Sequence, residues 1–337
     1  MRNASGKRLY IQEVSVRDGL QIEPRFVPTL QKIDLINGLS RTGLAKIEVT
    51  SFTSPKAIPA LADAEDVMRG IERVEGVEYA ALVPNERGAE RALACAVDEL
   101  NFVISASETH NLANLRMSCT QSLAQLVNIA KIARGRAHIN VSLSTAFGCP
   151  FEGEISDDTI LGLIDRITNM GLGRVTLCDT TGMANPAQVQ RVCNAVKTRW
   201  PGLVVTAHFH DTRGMGLANA LAALEAGVDR FDASLGGLGG CPFAPGASGN
   251  VCTEDLVHMF MNMGYTTCID LDALLVLANR IPRLVGHDVS GQLIKAGPSS
   301  RLYPVPDGIR SSEPQQRLAG CSASVADSSS SMGGTLS

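Results

Sequence analysis

Nowhere in these 337 residues does an apolar run approach the roughly 20 residues a membrane-spanning helix needs, so no span is expected. The opening residues MRNASGKR are basic, but an apolar strand pattern begins at Leu9 and leaves no room for the core of a secretory signal. Basic charge is not in excess either. Thirty Lys and Arg stand against 34 Asp and Glu, a net charge of −4, with a pI near 5.9; this argues against nucleic acid as a partner. The nine cysteines lack paired spacing and read as reduced thiols of a cytoplasmic protein, several of them small core residues. No strand pattern leads through a Gly-x-Gly-x-x-Gly turn into a helix, which removes the usual mark of a doubly wound dinucleotide-binding sheet.

What remains is alternation. Short apolar runs at 9–14, 46–49, 78–82, 99–104, 138–144, 174–178, 203–208 and 230–233 read as strands. Between them, amphipathic patterns at 29–41, 62–70, 86–94, 122–133, 157–170, 187–199 and 214–225 read as helices. Pro28 and Pro186 sit near helix starts, and Gly43 and Gly171 follow helix ends. Eight strand–helix alternations over about 250 residues predict an α/β fold, a (β/α)8 TIM barrel. An eighth helix is expected at 253–263 and at least one more at 270–284, packed beside or under the barrel. Residues 1–297 therefore form one domain. The segment 298–337 turns rich in Pro, Gly and Ser, and from about Ser311 its composition predicts a mobile tail.

The stretch 206–250 organises the rest: it carries His208-Phe209-His210-Asp211 and a glycine-rich loop with Cys241 that ends at Asn250. On a strand His208 and His210 face the same way, so both can reach one cation. In this fold, polar residues at strand C-termini converge on the active-site rim. Strand one ends in Arg17-Asp18-Gly19-Leu20-Gln21, strand two in Glu48-Val49-Thr50-Ser51, and strand six in Asp179-Thr180. An ion-pair network stiffening the rim is the alternative reading. Asp18, His208, His210 and Asn250 offer one carboxylate, two imidazoles and an amide oxygen, a set suited to Mg²⁺ or Mn²⁺, with zinc also open. Arg17 beside them can hold a developing oxyanion.

Three motifs carry a resemblance: Arg17-Asp18-Gly19-Leu20-Gln21, His208-x-His210, and the long run Gly237 to Asn250, GLGGCPFAPGASGN. They resemble the 3-hydroxy-3-methylglutaryl-CoA (HMG-CoA) lyases, metal-dependent aldol and Claisen-type barrels related to homocitrate and isopropylmalate synthases. Glu48-Val49-Thr50-Ser51-Phe52, Ser54-Pro55-Lys56 and Gly148-Cys149-Pro150-Phe151-Glu152-Gly153 extend the likeness from about Tyr10 to Met259. The resemblance implies cleavage of an acyl-CoA thioester, as in leucine degradation, by a homo-oligomer, a dimer in this family. It implies that Asp18, His208, His210 and Asn250 bind Mg²⁺ or Mn²⁺, and that Asp18 also takes the hydroxyl proton. Arg17 would stabilise the enolate, Cys241 would protonate it, and Glu48 and Asp179 would position Arg17 and substrate. Gln21, Ser51 and Thr180, with Arg17, would line the substrate.

Three departures from the family pattern are visible. Arg213-Gly214-Met215 stands where Tyr-Gly-Gln is usual, Ile22-Glu23 replaces Asn-Glu, and Gly236 replaces alanine. These positions are expected on loops near the acyl end. Arg213 is expected to meet a differently placed carboxylate, and Ile22 to favour an apolar substituent. Citramalyl-CoA or a longer branched 3-hydroxyglutaryl-CoA are therefore alternative substrates. A condensing synthase and a catalytically dead binding barrel are alternative classes, but no regulatory domain follows the barrel pattern and no metal or acid–base residue is lost.

Overall fold

The computed structural model describes residues 6–240 and 249–306. Eight parallel strands close on themselves in sequence order, with the first paired to the last. They are β1 (Tyr10–Glu13), β2 (Lys46–Ser51), β3 (Glu78–Val83), β4 (Glu99–Ser105), β5 (His138–Ser144), β6 (Arg174–Asp179), β7 (Val204–Phe209) and β8 (Arg230–Ala233). The order is the expected one, and the barrel is the expected fold. Most of its strand residues are buried on both faces, so the strands do not alternate cleanly between a buried and an exposed face.

The first half of the surrounding ring comprises α1 (Thr29–Ser40), α2 (Ala64–Gly70), α3 (Glu86–Ala94), α4 (Glu108–Leu115) and α5 (Cys119–Ala133). It continues with α6 (Asp157–Asn169), α7 (Pro186–Arg199), α8 (Gly216–Glu225) and α9 (Thr253–Asn262). Caps explain several starts. Ser156 opens α6 by accepting from the Thr159 amide, and Asn185 opens α7 ahead of Pro186, each satisfying an amide the helix cannot. Helix α6 buries Ile160, Leu163, Ile164 and Ile167, one stripe at helical spacing. Each such side chain contributes about 1.5–3 kcal/mol by leaving water, so Ile164→Ala is the kind of change that would loosen this face.

The stretch 270–284, where at least one helix was expected, holds two, α10 (Leu271–Ala278) and α11 (Ile281–Val285), because Pro282 fits only a first turn. A short α12 (Leu293–Ala296) follows. Helix α4 was not expected at all, although Ser107 caps it by accepting from the His110 amide. The compact unit runs to Pro298. Of the segment beyond, residues 299–306 are described and hold no regular element; the tail from Ser311 lies outside the described residues.

The barrel axis is polar. Asn101, Asn140, Ser142 and Thr176 form a hydrogen-bonded set inside it, with Asn140 Nδ2 donating to Thr176 Oγ1 at 2.8 Å and Ser142 Oγ to Asn101 Oδ1 at 2.7 Å. Asn101 Nδ2 then donates to Glu48 Oε1 at 2.7 Å. This ladder joins the barrel's interior to its upper rim.

Candidate active site

After β1 the chain makes one π-helical turn, Ser15–Gly19, in which the Gly19 and Leu20 amides donate back five residues to Val14 and Ser15. The turn is pinned by Glu13. Its carboxylate accepts from the Ser15 amide at 2.8 Å, the Leu235 amide at 3.0 Å and the Thr253 hydroxyl at 2.8 Å, which ties β1 to the end of β8 and to α9. Arg17 and Asp18, carried on this turn, are both buried.

Arg17 is held on two sides. Its Nε and Nη2 both reach Glu48 Oε2 at 2.6 Å, and Nη1 pairs with Asp18 Oδ1. Of its five N–H bonds three are thereby used, leaving two for a ligand. Burial works against the guanidinium charge, but Glu48 and Asp18 outweigh it and raise the pKa. Asp18 is the mirror image: burial pushes it up, yet Arg17 and the two histidines hold its carboxyl down at about 2.

His208, on β7, and His210, the residue just past its end, lie beside this turn, with His210 Nε2 4.0 Å from Asp18 Oδ2. His208 Nδ1 donates to Asp232 Oδ2 at 3.2 Å, because the parallel register sets His208 beside Asp232. Its Nε2 is left with a lone pair facing His210 Nε2 at 3.3 Å. Burial and the neighbouring His208 push the His210 pKa to about 4, which keeps that ring neutral. Neutral imidazole is the form that binds metal. Asn250 is bridged to His210 through the backbone, and its Nδ2 donates to Asp18 Oδ2 at 2.7 Å and to the Leu238 carbonyl at 2.9 Å.

These residues fit a divalent cation. One donor atom each from Asp18, His208 and His210 lie within 4.8 Å of one another. Asn250 Oδ1 is buried with no hydrogen-bond partner among the described residues, an acceptor left for something positive. The backbone crowds the cluster so closely that side chains are excluded: a Cβ on Gly239 would meet Asn250 Nδ2 at 2.6 Å, and one on Gly249 would meet the Gly237 carbonyl at 2.0 Å. Both glycines also have φ near +100°, which other residues rarely adopt.

The cluster floors a cavity of about 860 Å³. Arg17, Asp18, Gln21, His208, His210 and Thr180 line it, as does Ile22. The size suits a ligand well beyond a five-carbon acid, within the roughly 300–1,000 Å³ of small-molecule sites.

With that geometry in view, the chain's relatives can be set beside it. Residues 8–281 match the family model described as HMGL-like. A hydroxymethylglutaryl-CoA lyase of Bacillus subtilis is 46% identical over 87% of this chain and 99% of its own length. This chain belongs to the HMG-CoA lyase family. A crystal structure of an Acinetobacter baumannii HMG-CoA lyase in complex with coenzyme A and 3-methylmalate superposes with a TM-score of 0.85, at 54% identity, covering 88% of this chain and 98% of that one. An (R)-citramalyl-CoA lyase of Chloroflexus aurantiacus is 39% identical over 87% of this chain and 95% of its own length. The family's chemistry is carbon–carbon bond cleavage, and this member is an enzyme of that class.

Not every residue expected at the site is brought there. Asp179 is not bonded to Arg17: its Oδ1 accepts from the Met183 and Ala184 amides at 2.7 and 3.1 Å and shapes the loop after β6. Burial raises its pKa to about 6, against the pull of those amides. Ser51 is buried and shares a hydrogen bond with Thr53 Oγ1, and it is Thr53 that lines the cavity. Arg213 is occupied as well, donating to the Thr181 and Gly182 carbonyls at 3.0 and 2.8 Å instead of facing the cavity. Gly236 has φ +69°, and its amide donates to the buried Glu254. Cys241 lies outside the described residues.

Asp232 and Asn101 are the functional residues that motif reading missed. Asp232 fixes the tautomer of His208, and Asn101 braces the carboxylate that holds Arg17. The only sequence signal for Asp232 is a carboxylate on a four-residue strand otherwise ending in Phe231 and Ala233.

Proposed function

We propose that the protein cleaves HMG-CoA to acetyl-CoA and acetoacetate, using Mg²⁺ or Mn²⁺ held by Asp18, His208, His210 and Asn250. The observation that carries this reading is the orphaned Asn250 oxygen beside the Asp18–His208–His210 cluster, with Arg17 bonded to Asp18 and lining the same cavity, which is large enough for a thioester. A cation bound there would supply Lewis acidity to the substrate's hydroxyl and carbonyl oxygens.

The chain's own groups divide the remaining work. Asp18, ionised throughout the working range, accepts the tertiary hydroxyl proton as the hydroxyl oxygen becomes the ketone of acetoacetate. The electrons of the broken carbon–carbon bond pass to the thioester, whose enolate oxygen meets the two spare N–H bonds of Arg17. Glu48 keeps Arg17 aimed, and its own aim is fixed by Asn101. Cys241 returns a proton to the enolate carbon and completes acetyl-CoA. Gln21 and Thr180 orient the acyl group. Asp179 acts through the loop that carries Thr180.

Citramalyl-CoA is the second reading. It is favoured by the citramalyl-CoA lyase among the relatives. A homodimer in the cytoplasm, serving leucine degradation, is the setting that goes with the first reading. The test is turnover by purified protein with Mg²⁺ on HMG-CoA, citramalyl-CoA and longer branched 3-hydroxyglutaryl-CoA. HMG-CoA should have the highest kcat/KM; cleavage of none of them would end the lyase assignment.

A further inference from the structure

The floor of the cavity has two unlike halves. One is charged: Arg17, Asp18, His208, His210 and Asp232 stand at or just beyond the ends of β1, β7 and β8. The other is small and uncharged, built by Val103 on β4, Ser142 and Ser144 on β5, and Cys178 on β6. Cys178 marks the border between them. The parallel register of β6 and β7 sets it beside His208. It is not a member of the cation cluster, whose donors within 4.8 Å of one another are Asp18, His208 and His210. The cleavage steps proposed above make no use of it.

The thiol is a neutral body at this level. Burial raises its pKa well above the usual thiol range, and the Asp232 charge adds to the rise. The side chain is shut off from bulk solvent but lines the cavity, so a bound acyl group would lie against it. It also has no room to sink. One layer deeper Asn140 bonds to Thr176 and Ser142 to Asn101, and Cys178 Sγ donates to the Thr176 carbonyl at 3.8 Å. A wall braced in this way neither recedes under a larger ligand nor closes over the space of a deleted side chain.

We infer that Cys178 sets the depth of the acyl pocket beneath the hydroxyl-bearing carbon, admitting a methyl branch there and turning away anything longer. The inference rests on the lyase reading above and deepens it, narrowing the substrate class to 3-hydroxyacyl-CoA thioesters with a one-carbon branch at that carbon. A hydroxyl placed for proton transfer to Asp18 brings its own carbon to the level of the Asp18–His208–His210 cluster. The uncharged side chain set at that level is Cys178, so the branch meets the thiol. One methylene too many or too few in such a pocket changes kcat/KM by about 10- to 200-fold.

The experiment compares the parent protein with Cys178→Ala, Cys178→Ser and Cys178→Val on HMG-CoA and on its 3-ethyl homologue. Alanine removes one heavy atom from the wall, about the room an extra methylene needs. Cys178→Ala should raise the ethyl-over-methyl ratio of kcat/KM by about 10-fold or more. Cys178→Val, which adds bulk, should lower kcat/KM for HMG-CoA by a similar factor and leave the ethyl thioester uncleaved. Serine keeps the number of heavy atoms, so Cys178→Ser should keep the parent's ratio. A ratio that shifts in the serine variant as far as in the alanine variant, or in neither, overturns the assignment. Calorimetric titration with the two free acids, 3-hydroxy-3-methylglutarate and its 3-ethyl homologue, separates this inference from the lyase reading. If the parent cleaves no thioester but Cys178→Ala moves the binding preference toward the ethyl acid, the pocket depth stands and the lyase reading falls. If the parent cleaves HMG-CoA and Cys178→Ala moves neither preference, the depth assignment falls and the lyase reading stands.

Discussion

The two ends of this barrel carry similar residues and use them differently. At the N-terminal ends of the strands Lys46, Glu78, Glu99 and Arg174 form a closed set. Arg174 Nη1 reaches Glu78 at 2.6 Å and Glu99 at 2.7 Å, while Lys46 pairs with Glu99 and lies 3.7 Å from Glu78. Two cations meet two anions, and each finds its partner within the set. At the C-terminal ends one cation, Arg17, faces Asp18, Glu48 and Asp232, with two histidines between. There the books do not balance: Asn250 Oδ1, His210 Nδ1 and Asp179 Oδ2 are buried without partners among the described residues. Charges that satisfy one another stabilise a fold, whereas charges and dipoles left over await a ligand. The ion-pair reading considered for the upper rim therefore describes the lower one.

The largest effect that would sharpen this contrast belongs to Cys241→Ser. Serine keeps the shape and supplies a far weaker acid, so kcat should fall by about 10²–10⁴-fold while substrate still binds and melting is unchanged. Cys149→Ser, which alters a buried thiol bonded to Ser107 at 3.0 Å, should cost much less turnover. A normal kcat in Cys241→Ser would make a water molecule the better proton donor.

Glu99→Gln tests the opposite end. It leaves Lys46 and Arg174 facing a single remaining anion, and removing one partner of a buried pair costs about 3–5 kcal/mol. Urea unfolding should register that loss, while kcat of the folded fraction holds. If activity falls and stability does not, the division of labour between the two ends is wrong.

Glu254 offers a gentler probe. Burial, against the Cys252 and Gly236 hydrogen bonds, raises its pKa from 4.5 to about 7. The folded state thus holds a proton that the unfolded chain has released, so this contribution is whole below about pH 4.5 and is lost as pH rises through about 7. The 2.5-unit difference corresponds to about 3 kcal/mol at most. Glu254→Gln should flatten the stability–pH curve between pH 5 and 8; an unchanged slope there would place the titration elsewhere.

The smallest predicted change is in metal affinity. His210→Ala should weaken Mn²⁺ binding by roughly 10- to 100-fold, at least what loss of a supporting group costs, with little effect on melting of the metal-free protein. Binding as tight as the parent's, by calorimetry, would remove His210 from the ligand set.

Much of this was legible in the sequence, for a physical reason. Short runs rich in apolar and β-branched residues, set between helical patterns, stand out even where a polar residue interrupts them, so all eight strands could be counted, and helix caps and prolines bounded most helices. Residues that act through a motif, such as Arg17, Asp18, His208 and His210, were legible too. What escaped depended on partners far away in sequence. Asp232 has meaning only because the register of β7 and β8 sets it beside His208. Asp179 was expected to reach Arg17, but its turn amides claim it first. Arg213 looked free for substrate until the carbonyls of the neighbouring loop took the protons of its Nη1. Helix α4 has eight residues, too few to print a clear period.

The seam where β1 meets β8 has a consequence for how the protein comes into being. Asp18 bonds to Asn250 across 232 positions, and Glu13 to Thr253 across 240. A chain emerging from the ribosome therefore carries Asp18 for most of its synthesis without Asn250 to face it, although Glu48 is in place early for Arg17. Contacts this distant in sequence form late, because the entropy of closing so long a loop is offset only when the ends have met. No nascent fragment ending before residue 250 can hold all four residues proposed to bind the cation, so on that reading cation capture and cleavage competence arrive together, near the end of translation.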